Sequence, residues 1–429
     1  MAKQDTAPTT PKLRFPEFRD PTWKSVTLGM VADIKTGPFG STLHQSDYVD
    51  SGTPIVTVEH LSDYGLLHAN LPLVSDEDRV RLSSYELMTG DIVLSRVGSV
   101  DRISLVGAKE NGWLFSGRLL RIRTDAGKVN SAFLSLYFQL EATKQAIRSV
   151  AVGQTMPSLN TAILNSFPVV TSTLPEQQKI ADCLTSLDEV IAAQGRKVEA
   201  LKAHKRGLMQ QLFPREGETR PRLRFPEFRD APDWTVGKAS DIVEVLQGYG
   251  FPERLQGKRE GEFPFYKVSD ISACVDAGGI FLADAKNHID AAVLEELRAR
   301  LLPAGTTVFA KIGEAIRSNK RAIATRPCLV DNNAAGVKAI HGVAEDRFVY
   351  YLWSRIPLIE YAGGVVPSIN KSTMEQIEIC CPSIDEQQRI ADCFFSLDSE
   401  IVCETDGLSN FKLHKRGLMQ QLFPIPVED

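Results

Sequence analysis

Residues 204–214 read HKRGLMQQLFP, and residues 414–424 read the same eleven letters. Identity of that length at an offset of 210 is a duplication, and the offset recurs along the chain. Pro11 to Asp20 (PKLRFPEFRD) returns as Pro221 to Asp230 (PRLRFPEFRD) with nine of ten positions alike, and Glu176 to Asp182 (EQQKIAD) returns as Glu386 to Asp392 (EQQRIAD). Between these anchors the halves diverge. Gly153 with Pro157-Ser158-Leu159-Asn160 still matches Gly363 with Pro367-Ser368-Ile369-Asn370. In the middle the offset slips to 215, where Gly90-Asp91-Ile92-Val93 faces Gly305-Thr306-Thr307-Val308. The chain is therefore a tandem repeat whose ends stayed alike while its two middles changed.

The shared ends read as long helices. From Pro175 to Phe213 the apolar positions Ile180, Leu184, Leu187, Ile191, Val198, Leu201, Leu208 and Leu212 follow steps of four and three, a heptad seam broken at Gln194 and Lys205. The second copy keeps the register with Ile390, Phe394, Leu397, Ile401, Leu408, Phe411, Leu418 and Leu422, broken at Glu404 and Lys415. Pro175 suits a first helical turn, Glu176 and Glu386 suit a positive helix start, and Pro214 and Pro424 end both helices. A lone amphipathic helix of this length leaves its stripe in water, whereas two with matching stripes bury each other. Antiparallel pairing lets a duplicated chain close with two-fold symmetry, and the linker Arg215 to Arg220 is too short to lead back along a helix of about 58 Å.

The divergent middles, 21–173 and 231–383, mix strand-like runs (Pro54 to Val58, Asp91 to Leu94, Phe263 to Val268, Thr307 to Ala310) with helical stretches such as Ala132 to Ile147. The expected fold is α+β: two globules in pseudo-two-fold arrangement, separated by a pair of long antiparallel coiled-coil helices at 174–214 and 384–424. A segment 1–20, a linker 215–230 and a tail 425–429 complete the chain.

Composition narrows the partners. With 43% hydrophobic residues the chain can bury large cores, and no run approaches the roughly 18 to 20 apolar residues of a membrane span. Met1 to Asp20 is polar and Pro-rich without a signal-peptide core, so a soluble cytoplasmic protein is expected. The seven cysteines show no CxxC pairing and are expected as reduced thiols. A net charge of −5 means that any nucleic-acid contact must come from local basic patches.

Each half carries such a patch after its glycine-led strand. Arg96, Arg102, Lys109, Arg118, Arg121, Arg123 and Lys128 face only Asp101, Glu110 and Asp125, and Lys311, Arg317, Lys320, Arg321 and Arg326 face only Glu314. Arg and Lys after glycine turns can bind phosphates or pair with guanine edges. The candidate DNA-contacting set is Arg96, Ser99, Arg102, Arg118, Arg121, Gln154, Ser158, Asn160, Lys311, Arg317, Lys320, Arg321, Ser368 and Asn370. A separate set follows from the identical helix ends, where a seam alone would not preserve surface residues: His204, Lys205, Arg206, Gln210, His414, Lys415, Arg416 and Gln420 are expected to meet the same partner twice.

Catalytic motifs are missing. Gly257-Lys258 is no phosphate loop, no amino-methyltransferase or HExxH motif occurs, and Asp33-Ile34-Lys35 and Asp284-Ala285-Lys286 are chance likenesses to a nuclease triplet. No metal site is expected in this chain.

Across nearly its whole length the chain resembles the specificity subunits of type I restriction-modification enzymes. The likeness rests on LRFPEF opening both halves, EQQ[KR]IAD at both helix starts, HKRGLMQQLFP at both helix ends, the turns at Gly90 and Lys311, and Asp331-Asn332-Asn333. It implies a non-catalytic subunit whose two target-recognition domains each read half of a double-stranded DNA site. It further implies two methyltransferase subunits and motor-nuclease subunits as partners, with S-adenosylmethionine, ATP and Mg held by those partners. Phe115-Ser116-Gly117-Arg118 stands where the second half has Asp331-Asn332-Asn333-Ala334, which implies different bases in the two half-sites. The rivals are a duplicated coiled-coil scaffold without DNA recognition and an enzyme with an unfamiliar site.

Overall fold

A computed structural model describes residues 10–19, 23–38, 42–153, 155–283 and 285–424. Its helices are α1 (Asp76–Arg81), α2 (Ser131–Gln139), α3 (Glu141–Val150), α4 (Thr161–Ser166), α5 (Leu174–Leu212), α6 (Val268–Asp276), α7 (Ala291–Glu296), α8 (Asp346–Ser354), α9 (Lys371–Glu375) and α10 (Ile384–Leu422). The two long helices are each 39 residues, as the heptad reading expects. None of the described helices is long and apolar enough to cross a membrane. The cysteines are all free.

The chain forms two compact units, Met1–Ala193 with Leu408–Asp429, and Gln194–Gly407. Each long helix contributes to both units.

In the first unit an antiparallel sheet runs in the order Ala32–Thr36, Leu119–Thr124, Ile92–Ser95, Ile103–Leu105. Strand Ile92–Ser95 is buried at every position, and α2 covers the sheet with Phe133, Leu134, Tyr137 and Phe138. The helix expected over Ala132 to Ile147 is two, because Leu140 is extended (φ −61°, ψ 136°). The composition changes there: α2 is buried through Phe133 to Phe138, whereas α3 turns Lys144 and Arg148 outward to pair with Asp63 and Asp101 at 3.1 and 2.7 Å. Trp23, Phe133 and Tyr137 close around Phe423, with ring centroids 5.0–6.4 Å from it.

The second unit repeats the plan with a five-stranded sheet, Val243–Gln247, Ala334–Ala339, Thr307–Ala310, Arg321–Ala324 and Phe281–Leu282. Phe213, from the end of α5, packs between Trp234, Phe348 and Phe394 at 5.6–6.1 Å. Part of the duplicated LFP ending is therefore core, which by itself favours its retention.

The other shared motifs hold one another. Arg14 of the first LRFPEF forms a fork with Glu176 (both N···O 2.9 Å), and Arg224 does the same with Glu386 at 2.8 and 2.5 Å. All four side chains are nearly sealed from water. The glutamates read from sequence as helix-start charges are thus mainly partners of these arginines. Beside each fork, the backbone amide of Leu13 donates to Gln421 O and that of Leu223 to Gln211 O, both at 2.9 Å.

In the second unit α5 and α10 run antiparallel. Gln194 donates to the Glu404 carbonyl at 2.9 Å and Lys205 Nζ to Asp398 at 2.5 Å, so numbers rise along one helix as they fall along the other. Ile180, Leu184, Ile191, Val198 and Leu212 of α5 and Ile390, Phe394, Ile401 and Leu422 of α10 are buried. Phe411 is a correction: expected in the seam, it is exposed, although Leu422 further along the same stripe is buried.

Candidate nucleic-acid interface

In each unit a central strand ends at a cationic residue. There three separate stretches of chain are tied together by the same backbone bonds. In the first unit Arg96 N donates to Arg118 O (2.8 Å), Leu159 N to Arg96 O (2.9 Å) and Gly98 N to Pro157 O (2.9 Å). In the second, Lys311 N donates to Asn333 O (2.8 Å), Ile369 N to Lys311 O (3.0 Å) and Gly313 N to Pro367 O (2.7 Å). The basic stretch and the Pro-Ser turn, which lie some 60 residues apart, are thus neighbours in both units.

A fourth stretch presses against this frame. A Cβ on Gly37 meets the carbonyl oxygen of Ser116 at 2.1 Å, and one on Gly248 meets that of Asp331 at 1.8 Å. Only glycine allows so close a backbone approach at either place.

What differs is the side chains carried by the frame. In the first unit an open cleft is lined by Arg96, Arg102, Arg118, Tyr48, Thr57 and Glu59. Arg96 is half-buried, with Nε donating to Leu159 O and Nη1 to Gly117 O, each at 3.3 Å. Arg102 is exposed and donates to Val58 O at 3.2 Å. Arg118 is exposed and makes no side-chain hydrogen bond or ion pair among the described residues. Three guanidiniums against one carboxylate leave the cleft positive, with donors suited to phosphate oxygens or a guanine edge. Ser99 is exposed, and its carbonyl accepts from Ser95 Oγ.

In the second unit the equivalent cations already have partners. Lys311 is half-buried and donates from Nζ to Gln247 Oε1; burial draws its pKa below that of an ordinary lysine. Arg317 is exposed and paired with Glu314 at 2.8 Å, and Lys320 is paired with Asp276 at 2.6 Å.

Two expected contact residues are turned inward, and others are engaged by the backbone. Arg321 is buried, bonded to the carbonyls of Trp353 (3.3 Å) and Ile356 (3.0 Å) and to Asn319 Oδ1 (2.7 Å), with its guanidinium over the Phe309 ring. Arg121 is likewise buried and donates to Asp33 at 2.6 Å, because both sit on the sheet rather than on its exit loop. Asn160 and Asn370 cap α4 and α9, their Oδ1 atoms accepting from Ile163 N (2.9 Å) and Thr373 N (2.8 Å). Ser158 donates to Val152 O at 3.1 Å and Ser368 to Gly363 O at 3.5 Å. Gln154 and Asp284 lie outside the described residues.

The duplicated helix ends divide in the same way. His204, Arg206, Gln210, His414, Arg416 and Gln420 are exposed. Lys205 and Lys415, the breaks in the seam also expected to meet a partner, pair inside their units with Asp398 and Asp188. The acidic partners and the Arg14 and Arg224 forks escaped the sequence reading. The available signal was that Arg14 and Glu176, like Asp188 and Lys415, all recur at the 210 offset.

A family model described as type I restriction modification DNA specificity domain matches residues 21–203 and again residues 232–410. The chain is similar to the type I restriction enzyme MjaX specificity subunit of Methanocaldococcus jannaschii, 24% identical over 385 residues that cover 86% of both proteins. It is also similar to the MjaIX specificity subunit of that organism, 28% identical over 167 residues, 37% of this chain and 36% of the relative. Among solved structures it resembles the S subunit of a type I restriction-modification system from M. genitalium, with TM-score 0.62 and 14% identity over 97% of this chain and 99% of the other. A chain from a structural study of assembly and conformational transition of the type I R-M system gives TM-score 0.54 and 14% identity over 94% and 98%. At such identities the structural likeness is one of fold.

Proposed function

The chain belongs to the type I restriction-modification DNA specificity family, and on that footing we propose that its two units each read one half of an asymmetric bipartite site in double-stranded DNA. The observation that carries this reading is the backbone frame common to both units, on which Arg96 and Arg118 in one stand where Lys311 and Asn333 stand in the other, one residue before the Ala334 that the letters align with Arg118. One frame with different donors is what two half-sites of different sequence require.

The remaining assignments extend the proposal. The continuous helices α5 and α10, each about 58 Å at about 1.5 Å per residue, set the spacing between half-sites. The exposed His204, Arg206 and Gln210 and their copies His414, Arg416 and Gln420 dock two methyltransferase subunits, since like surfaces bind like partners. Motor-nuclease subunits join for cleavage. The chain itself transfers no methyl group and cuts no DNA, so S-adenosylmethionine, ATP and Mg act on the partners, and the complex works in the cytoplasm.

Native mass spectrometry of the complex with its methyltransferase, joined to a gel shift on a genomic DNA pool, tests this. One copy of this chain with two methyltransferases and selective retention of a bipartite sequence is expected. Saturation at one methyltransferase contradicts the docking assignment, and retention without sequence preference contradicts the reading.

A further inference from the structure

Beside each cationic strand end stands a short turn, closed by a single β-bridge, with an apolar tip. In the second unit Gly363 and Ser368 pair by two backbone bonds of 3.0 and 3.1 Å, and between them Gly364 supplies the positive φ (+93°) that turns the chain. Val365 and Val366 follow, 104% and 61% exposed. In the first unit Val152 and Ser158 pair at 2.9 Å both ways, Gly153 takes φ +111°, and Met156, at the position of Val366, is 64% exposed.

Turn chemistry does not ask for these side chains. Exposed turn tips favour Gly, Asn, Asp and Ser, and a β-branched pair gains nothing there. Nor are the tips loose: Ser368 bridges to Ile312 and Ser158 to Val97, and the bonds to Pro367 O and Pro157 O fix each tip to the cationic turn. Two divergent units thus hold an aliphatic group in water at one place on the frame.

We propose that these tips enter the DNA major groove and that Val365 with Val366, and separately Met156, contact the C5-methyl group of a thymine. This inference rests on the DNA-reading function above. That groove admits an element as wide as a helix or a two-stranded ribbon, so a narrower turn enters it, and the thymine methyl is the apolar feature that the base edges present there. Aliphatic side chains cannot read donors or acceptors. The adjacent cations supply the phosphate contacts that hold a turn in register, most plainly Arg102 of the first unit.

The test uses the complete complex and its cognate duplex, in which thymines are replaced one at a time by deoxyuridine, removing only the methyl group. Each half-site is expected to contain a thymine whose replacement weakens binding about three- to fivefold, the worth of one buried methyl. The V365S/V366S double variant is expected to bind thymine and uracil duplexes alike at one half-site, and M156S at the other, with melting temperatures unchanged. Half-sites without an A·T pair, or replacements without effect while the wild-type complex still selects its site, overturn the inference. Equal weakening on thymine and uracil duplexes overturns it too, marking the tips as wedges or backbone contacts. If the wild-type complex selects no sequence, it is the DNA-reading function that fails instead.

Discussion

Lys415 donates from Nζ to both carboxylate oxygens of Asp188, at 2.6 and 2.7 Å, and the equivalent Lys205 and Asp398 meet at 2.5 Å in the other unit. Each pair adds an aromatic neighbour from a different part of its unit. The Lys415 ammonium lies 5.4 Å from the Tyr64 ring centre, and Lys205 lies 5.3 Å from that of Tyr351, whose hydroxyl also donates to Asp398 at 2.8 Å. A like pair survives although its surroundings changed, which marks the pair as the element that mattered.

Replacing Lys415 with Met is expected to destabilise the first unit by about 1–3 kcal/mol, since Asp188 loses its donor while remaining largely buried. Burial already pushes the Asp188 carboxyl above its ordinary pKa, and Lys415 opposes that shift. A raised acid pKa means that the folded state holds its proton longer, so this stability is present at low pH and is lost as pH rises through the raised value. The K415M protein should therefore lose more at pH 8 than at pH 5, and K415M/D188L should recover much of it. Chemical denaturation at the two pH values measures both effects.

The Arg224–Glu386 fork is more deeply buried. Removing one partner from such a pair leaves an unpaired charge, which costs about 3–5 kcal/mol, so R224M should lower the melting temperature by several degrees. R224M/E386L should be milder than either single change. Calorimetry that finds R224M neutral rejects the fork as a structural clamp between motif and helix start.

Arg118 and Arg321 separate reading from folding. R118A is expected to leave stability unchanged. It should either cost about 1–3 kcal/mol on one half-site or flatten the salt dependence of binding by about one counterion. R321A, which strips buried carbonyls of their donor, is expected to cost on the order of 3 kcal/mol of stability. Gel shifts across a salt series, with calorimetry on both variants, decide the assignment. A binding defect in R321A at unchanged stability returns that residue to the DNA surface.

Much of this was legible in the letters. The 210-residue repeat, both helix limits to within two residues, the α+β middles and the strand Thr307–Ala310 follow from periodicity and motif. What the letters did not yield is direction and partnership. Arg96, Arg118 and Arg321 look alike in a basic run, yet a residue on a covered strand points into the sheet while its neighbours on the exit loop face water. Asn160 and Asn370 suit base contact and helix capping equally well as residue types, and the capping shows only once the helix that starts beside each is seen. The ion pairs span more than 150 residues, beyond any local pattern. In the helix ends the heptad places Leu212 and Leu422 in the seam and the surface residues with a partner, but it gives no role to Phe213 and Phe423, which serve the cores.

The spacer proposal is open to a length change. Inserting four residues at Gln194 and four at Glu404 adds about 6 Å, which at about 3.4 Å per base pair is one or two base pairs. Methylated sites of the variant should show both half-site sequences intact with a longer gap. An active variant with an unchanged gap contradicts the helices as spacers.

The most direct measurement maps methylated bases genome-wide in cells with and without this gene, and with the R118A substitution. The account predicts a bipartite motif that vanishes without the gene and loses definition in only one half with R118A. Methylation that is the same in all three strains, or a motif that relaxes in both halves at once, contradicts the assignment of one half-site to each unit.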